Sequence, residues 1–401
     1  MQNYLSSERQ DRVYLDYNAT TPHAACLKNQ WTSWLSIYGN PSSIHQDSRW
    51  PKTLIREARQ KIARHLNCSP LEIIFNSGAS EGNNSVLKSV WATFGKNRPE
   101  MLISQVEHPS VVKTAEYLTT QGAIIHWIPV NRSGQIDLNF IDQHLSDKTS
   151  LVSVMFANNE TGTIFPIQQI SQKAHAHGAF MHSDCVQILG KHDIQFTELQ
   201  LDYATFSAHK FYSLKGTGFV YVKKTSSWIP LIHGGGQERG RRGGTENVLG
   251  IAVLHTVLDL LPEASIRIEQ MKKLRDSMES RILSCLSDVS VTAIESERLG
   301  NTSSLVIAGV DGETLLMSLD LKGFSVSTGA ACSSGNPEPS PVLLAMGLTR
   351  NEAQSSLRVS LGWETTEEQI VDFVNTLAEV VQKLRQLHIN EKVENVSEKS
   401  K

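Results

Sequence analysis

Three short segments place side chains with chemical capacity directly after apolar runs. Ser77-Gly78-Ala79-Ser80-Glu81-Gly82-Asn83 follows Ile73-Ile74-Phe75. Its small residues let the backbone approach an anion where the next helix starts, and free N–H groups there favour a phosphate. His182-Ser183-Asp184-Cys185-Val186-Gln187 follows the apolar residues 179–181 and sets a carboxylate, Asp184, at a strand's C-terminal end, where open α/β sheets bind ligands. Phe206-Ser207-Ala208-His209-Lys210 sets a lysine after another strand, able to form a Schiff base with an aldehyde. Alone, each has a plainer reading as a bare turn, a helix cap or a solvated lysine. Together, a phosphate cradle, an acid for a pyridinium nitrogen and a Schiff-base lysine are the parts a pyridoxal phosphate site requires.

A fourth segment, Ser327-Thr328-Gly329-Ala330-Ala331-Cys332-Ser333-Ser334-Gly335-Asn336-Pro337, surrounds a cysteine with small residues and a proline. That composition predicts a mobile, accessible loop in which the Cys332 thiol acts as a nucleophile. Cys26, Cys68, Cys185 and Cys285 have bulkier or helical surroundings, and none of the five cysteines has CxxC spacing, which argues against a disulfide framework and a structural zinc site. His182, Asp184 and His175 or His177 form no closed ligand set, so no metal is expected.

The elements that must hold these segments follow an α/β rhythm. Apolar runs at 73–75, 101–103, 124–127, 151–154, 203–206 and 218–221 alternate with helical patterns at 80–94, 110–118 and 167–177. This predicts a largely parallel sheet in a large domain over 18–264. Beyond 264 come a long charged helix and short strands near 303–308, 324–327 and 357–360, which predict a smaller α+β domain from 1–17 and 265–390, with 391–401 a frayed tail. Its closing helix carries Ile370, Phe373, Val374, Leu377, Val381 and Leu384 on one face, and Thr365 with Glu368 has capping-box spacing.

Composition narrows the setting. The 401 residues are 40% hydrophobic and 20% charged, enough for two or three cores. The 38 basic and 41 acidic residues give a net charge of −3, which predicts no field for direct nucleic-acid or membrane-surface binding. The start of the chain is polar and no run of about 20 apolar residues occurs, so a cytoplasmic protein is expected.

The motifs resemble cysteine desulfurases of the NifS/IscS type, in the class V aminotransferase group of pyridoxal phosphate enzymes. The resemblance rests on Tyr14-Leu15-Asp16-Tyr17-Asn18-Ala19-Thr20-Thr21-Pro22, Glu107-His108, Asn158-Asn159-Glu160-Thr161-Gly162, Ser207-Ala208-His209-Lys210 and His233-Gly234-Gly235-Gly236-Gln237-Glu238-Arg239-Gly240. It implies fold type I, with a mainly parallel seven-stranded sheet, and an enzyme that converts L-cysteine to L-alanine while transferring sulfur to Cys332 as a persulfide. Lys210 would hold pyridoxal 5'-phosphate, Asp184 would pair with the ring nitrogen, Gln187 would bond the phenolic oxygen, and His108 would stack on the ring and move protons. Ala79, Ser80, Ser207 and His209 would bind the phosphate, with Thr245 supplied by the second subunit of a homodimer with shared active sites. Asn158 and Arg358 would orient the substrate. The persulfide would pass to an acceptor protein, either an iron–sulfur scaffold or a thio-modification enzyme. Ser80, Gln237 and Cys185 depart from the residues common in the family. A selenocysteine lyase on the same scaffold, or a sulfur-delivery partner protein, are the competing readings.

Overall fold

Strands that are apolar on both faces need cover on both faces, and five of the six runs noted above are buried in this way, while the run at 124–127 lies at the sheet edge with Ile124 exposed. The computed structural model describes residues 12–329 and 338–398, with side chains described to Leu387. The strands are β1 (Val13–Tyr14), β2 (Ile73–Asn76), β3 (Glu100–Ser104), β4 (Ile124–Ile128), β5 (Thr149–Ser153), β6 (Phe180–Asp184), β7 (Tyr203–Ser207), β8 (Gly218–Val222), β9 (Val289–Val291), β10 (Thr302–Ile307), β11 (Phe324–Ser325) and β12 (Ser356–Ser360). Seven of them form one sheet in the order β2-β8-β7-β6-β5-β3-β4. Only β8 runs against its neighbours, so the other six present their C-terminal ends along one edge. The fold is mixed α/β, as expected.

Alternate residues of each strand enter different cores. Ile74, Met101, Leu151, Tyr203 and Val220 pack under the helices Ala79–Phe94 and Pro109–Thr120. Phe75, Leu102, Val152, Ala204 and Phe219 pack on the opposite face with the helices Arg49–His65, Ile167–Ala176 and Val248–Val257. The helical stretch Val248–Cys285 is long and apolar enough to cross a membrane by composition. Its apolar residues Ile251, Val253, Leu254 and Val257 are nevertheless buried in this core, and Pro262 interrupts it.

A second core gathers Leu15 with Met271, Ile282, Leu305, Leu357, Ile370, Phe373 and Leu377. It contains the antiparallel sheet β12-β10-β9, while β1 pairs in parallel with β11. The apolar face of the closing helix, Glu367–Glu398, is buried as the spacing requires. Its cap differs from the expected one. The box joins Thr366 and Gln369, each side chain bonded to the other's backbone N–H. Thr365 instead accepts from Gly362 N at 2.9 Å. Both pairs have the spacing, and the turn at Gly362 has already engaged the first threonine.

Trp363 joins the cores. It stacks on Tyr212 with ring centroids 4.1 Å apart and donates from Nε1 to Gly190 O at 2.9 Å. Gly190 has φ +73°, and a Cβ there would lie 2.8 Å from the Trp363 ring, so this contact requires glycine.

Candidate active site

The strand ends and the second core enclose a cleft of about 600 Å³. It is lined by Ala79, Ser80, His108, Asp184, Gln187, Ser207, His209, Lys210 and Arg358, which brings nine of the expected site residues together.

Lys210 ends a short 3-10 turn that follows β7. Its Nζ donates to Asn18 O at 2.6 Å and Ala19 O at 2.7 Å, so the N-terminal Asn18-Ala19 motif orients the amine. Burial, reinforced by the positive charge of Arg358, lowers its pKa to about 8. A usable fraction of neutral, nucleophilic amine is therefore present near neutral pH. His209 is pushed down to about 4 by burial and then by the Lys210 charge, so it is neutral and can donate one hydrogen bond.

Asp184 closes β6. Its Oδ2 accepts from Asn83 Nδ2 at 2.8 Å and its Oδ1 from Val186 N at 3.0 Å. Asn83 is fixed in turn by Thr205 and bonds Ser110 Oγ at 2.9 Å. Ser110 Oγ lies 2.8 Å from His108 Nδ1, and Ser110 N also donates to that nitrogen at 3.1 Å. The lone pair of Nδ1 is thus occupied, so the neutral ring carries its proton on Nε2. Burial lowers the His108 pKa and the Lys210 charge adds to this, while Asp184 opposes them. Beside Asp184, fully buried Glu107 accepts from Met155 N, and burial followed by the Asp184 charge raises its pKa far above the carboxylate range. That shift favours the protonated form, in which Glu107 spares Asp184 a like-charged neighbour. Asn83 and Glu107 were not legible as members of this network. Their partners are up to 122 residues away, and Asn83 reads as part of the phosphate turn.

The residues fit pyridoxal phosphate on the donor set itself. Gly78 has φ +143°, and the helix Ala79–Phe94 that it opens has no side-chain cap, leaving its first-turn N–H groups for a phosphate. Ser207 borders that turn, since a Cβ on Gly78 would meet its Oγ at 3.4 Å. Glu81 does not oppose an anion there, because its carboxylate is engaged by Arg242 at 2.9 and 3.1 Å and by Ser77 N at 3.0 Å.

The second core contributes Arg358 from β12. Its Nη2 donates to Asp16 Oδ1 at 2.7 Å and its Nη1 to Asn159 O at 3.2 Å. The buried Nε has no partner among the described residues. Glu160, which also lines the cleft, accepts from Ser340 Oγ, and burial raises its pKa to about 7.

Asn158 is placed differently from the expectation. It is buried beside the cleft, with Oδ1 accepting from Glu160 N and Thr161 N and Nδ2 donating to Val106 O. Asn159 and Glu160 line the cleft instead, because the turn uses Asn158 to satisfy its own backbone. Thr245 lines a separate hollow with Phe75, Glu238 and Arg242. Of the glycine-rich motif, Glu238 forms a buried bidentate pair with Arg59 at 2.6 and 2.8 Å and accepts from Phe75 N, tying that loop to β2. Cys185 is fully buried, which raises its thiol pKa and makes it a poor nucleophile. Cys332 lies outside the described residues. His175 bonds Asp202 at 2.7 Å, and among the described residues no three His, Cys, Asp or Glu side chains converge as metal ligands.

A family model described as aminotransferase class-V matches residues 13–373. The chain is 40% identical over 375 residues to the "Cysteine desulfurase IscS" of Dictyoglomus turgidum, covering 93% of this chain and 95% of that protein. A solved structure described as a "NIFS-LIKE PROTEIN" superposes with a TM-score of 0.86 at 36% identity, covering 92% of this chain and 99% of the other. Another, "SspA in complex with cysteine", superposes with a TM-score of 0.77 at 30% identity, covering 87% and 98%.

Proposed function

This chain belongs to the aminotransferase class-V family, among its cysteine desulfurases, and we propose on that footing that Lys210, Asp184 and His108 act on L-cysteine with pyridoxal phosphate. The single observation that carries the cofactor reading is the convergence of Lys210, Asp184, Gln187 and the uncapped Ala79–Ser80 helix start on one cleft. When bound, pyridoxal phosphate supplies an electron sink for the pair released at the substrate's Cα.

The chain's own residues do the rest. Ala79, Ser80, Ser207 and neutral His209 would hold the phosphate, and Asp184, oriented by Asn83 Nδ2 and Val186 N, would face the ring nitrogen. The Lys210 amine, part of which is neutral near neutral pH, would hold the cofactor's aldehyde and would serve as a base toward the substrate. The His108 ring would lie against the cofactor and, with Nδ1 occupied by Ser110 N, carries Nε2–H as a donor. Arg358, with its guanidinium fixed by Asp16 and the Asn159 carbonyl, takes the substrate carboxylate on its remaining N–H groups. The Cys332 sulfur attacks the substrate sulfur, forming an S–S bond as the Cβ–S bond breaks. Alanine then leaves and Cys332 keeps a persulfide for an acceptor protein.

We further infer a homodimer, supported by Thr245 standing apart from its own cleft and by exposed Trp31, Leu35, Tyr38 and Trp50. The unpaired thiols of Cys26, Cys68, Cys185 and Cys285 support a reducing, cytoplasmic setting. The test is incubation of purified, pyridoxal phosphate-loaded protein with L-cysteine. Alanine in amounts matching sulfur released to a thiol acceptor is expected. No alanine from L-cysteine, with turnover of L-selenocysteine alone, would replace the reading by a selenocysteine lyase.

A further inference from the structure

A second lysine lies beneath the cleft, and nothing in the reaction above uses it. Lys191 is 3% exposed and has no carboxylate partner among the described residues. Its Nζ donates to Gln187 Oε1 and, at 3.2 Å, to Asn18 Oδ1. Both acceptors belong to the shell that seats Lys210. Asn18 O accepts from Lys210 Nζ at 2.6 Å and from Gln187 Nε2 at 3.1 Å, so one peptide oxygen serves both side chains. The Asn18 side chain is itself oriented, since Oδ1 also accepts from Asn301 and Nδ2 donates to Asn159 O and Thr302 Oγ1.

We propose that Lys191 is a positioning residue that fixes the amide orientation of Gln187, so that the cleft receives an N–H donor rather than a carbonyl oxygen. An amine can donate to an amide oxygen but not to its nitrogen. With Oε1 held by Lys191, Nε2 must face away from it. One of its two hydrogens reaches Asn18 O, and the other is left for the cleft that Gln187 lines. A donor is the group that an anionic phenolic oxygen requires. Burial and the charges of Lys210 and Arg358 lower the pKa of Lys191 well below its usual value, with Asp16 opposing. The role survives loss of that charge: a neutral amine still has a hydrogen for each acceptor, and a flipped amide would set Oε1 against the Asn18 oxygen that now accepts from Nε2. Without the donor, buried Oε1 would be unsatisfied and the Gln187 side chain would leave its place to recover a partner.

The inference rests on the cleft being a pyridoxal phosphate site, and its test separates the two. Pyridoxal phosphate affinity and the visible absorbance of the bound cofactor are measured for wild type, Lys191→Met, Gln187→Ala and the double variant. Lys191→Met is expected to weaken cofactor affinity about tenfold and shift the absorbance. In the Gln187→Ala background it should change affinity less than about twofold, because it acts through Gln187. Unchanged affinity and absorbance in Lys191→Met, or an equal loss in both backgrounds, would overturn the proposal. If Lys191→Met does not fold, Lys191→Gln takes its place in both backgrounds. Its amide can pair with either end of Gln187 and so fixes neither, and the same outcomes support or overturn the proposal. Wild type that takes up no pyridoxal phosphate would instead overturn the cofactor reading.

Discussion

The two walls of the cleft are built by different means. On the wall formed by the large sheet, each reactive side chain ends or follows a strand and is held by hydrogen bonds: Asp184 by Asn83, itself fixed by Thr205, His108 by Ser110, and Lys210 by the Asn18 and Ala19 carbonyls. Charge is shaped there as well, with burial pushing Glu107 toward its protonated form and His209 neutral. The opposite wall comes from the edge strand β12 and the segments around Glu160 and Gly329. Arg358 Nε has no partner there among the described residues, and burial raises the pKa of Glu160 to about 7. A fixed wall suits carbon chemistry, which needs constant geometry and protonation. A less committed wall suits recognition of a substrate carboxylate and approach of Cys332.

The largest expected effect is on the fixed wall. Lys210→Ala should lower kcat by roughly 10³-fold or more, since amine and base are lost together. After borohydride reduction, mass spectrometry should find no cofactor-bearing peptide, whereas wild type should carry it on Lys210. The next effect separates the walls by pH. A carboxyl with a raised pKa contributes stability that is fully present below its unfolded value of 4.5 and is lost as pH rises through about 7. Glu160→Gln should therefore match wild type in denaturant unfolding at pH 4 and exceed it by about 2–3 kcal/mol at pH 8. A constant difference across that range would remove the contrast in protonation. The smallest effect tests recognition: Arg358→Lys keeps the charge but loses the fork, and should raise KM for L-cysteine about tenfold with less change in kcat. A kcat loss with KM unchanged would place Arg358 in the chemistry rather than the binding.

How much of this was legible in the sequence follows from the range of each interaction. Runs such as Ile73-Ile74-Phe75 and Tyr203-Ala204-Thr205-Phe206 specify buried strands locally, and the small residues of Ser77–Gly82 mark an uncapped helix start, so the sheet and the cradle could be read directly. The choice between Asn158 and Asn159 depends on one turn's backbone, and the choice between Thr365 and Thr366 on which hydroxyl the Gly362 turn takes first. Neither leaves a signal in composition. The shell that orients the reactive groups was illegible for a different reason. Lys191 meets Asn18 across 173 residues and Asn83 meets Asp184 across 101, and a polar side chain in an apolar surrounding reads as exposed until its partner is known.

In the division of labour proposed above, Lys210 and its wall break the substrate's bonds while Cys332 receives the sulfur. Its most direct test is peptide mass spectrometry of pyridoxal phosphate-loaded protein after one turnover with L-cysteine, alongside quantified alanine. One added sulfur atom is expected on the Cys332 peptide in amounts equal to alanine, with Cys26, Cys68, Cys185 and Cys285 unmodified. Alanine formed at the wild-type rate by Cys332→Ala, with the sulfur on another cysteine or on none, would contradict it.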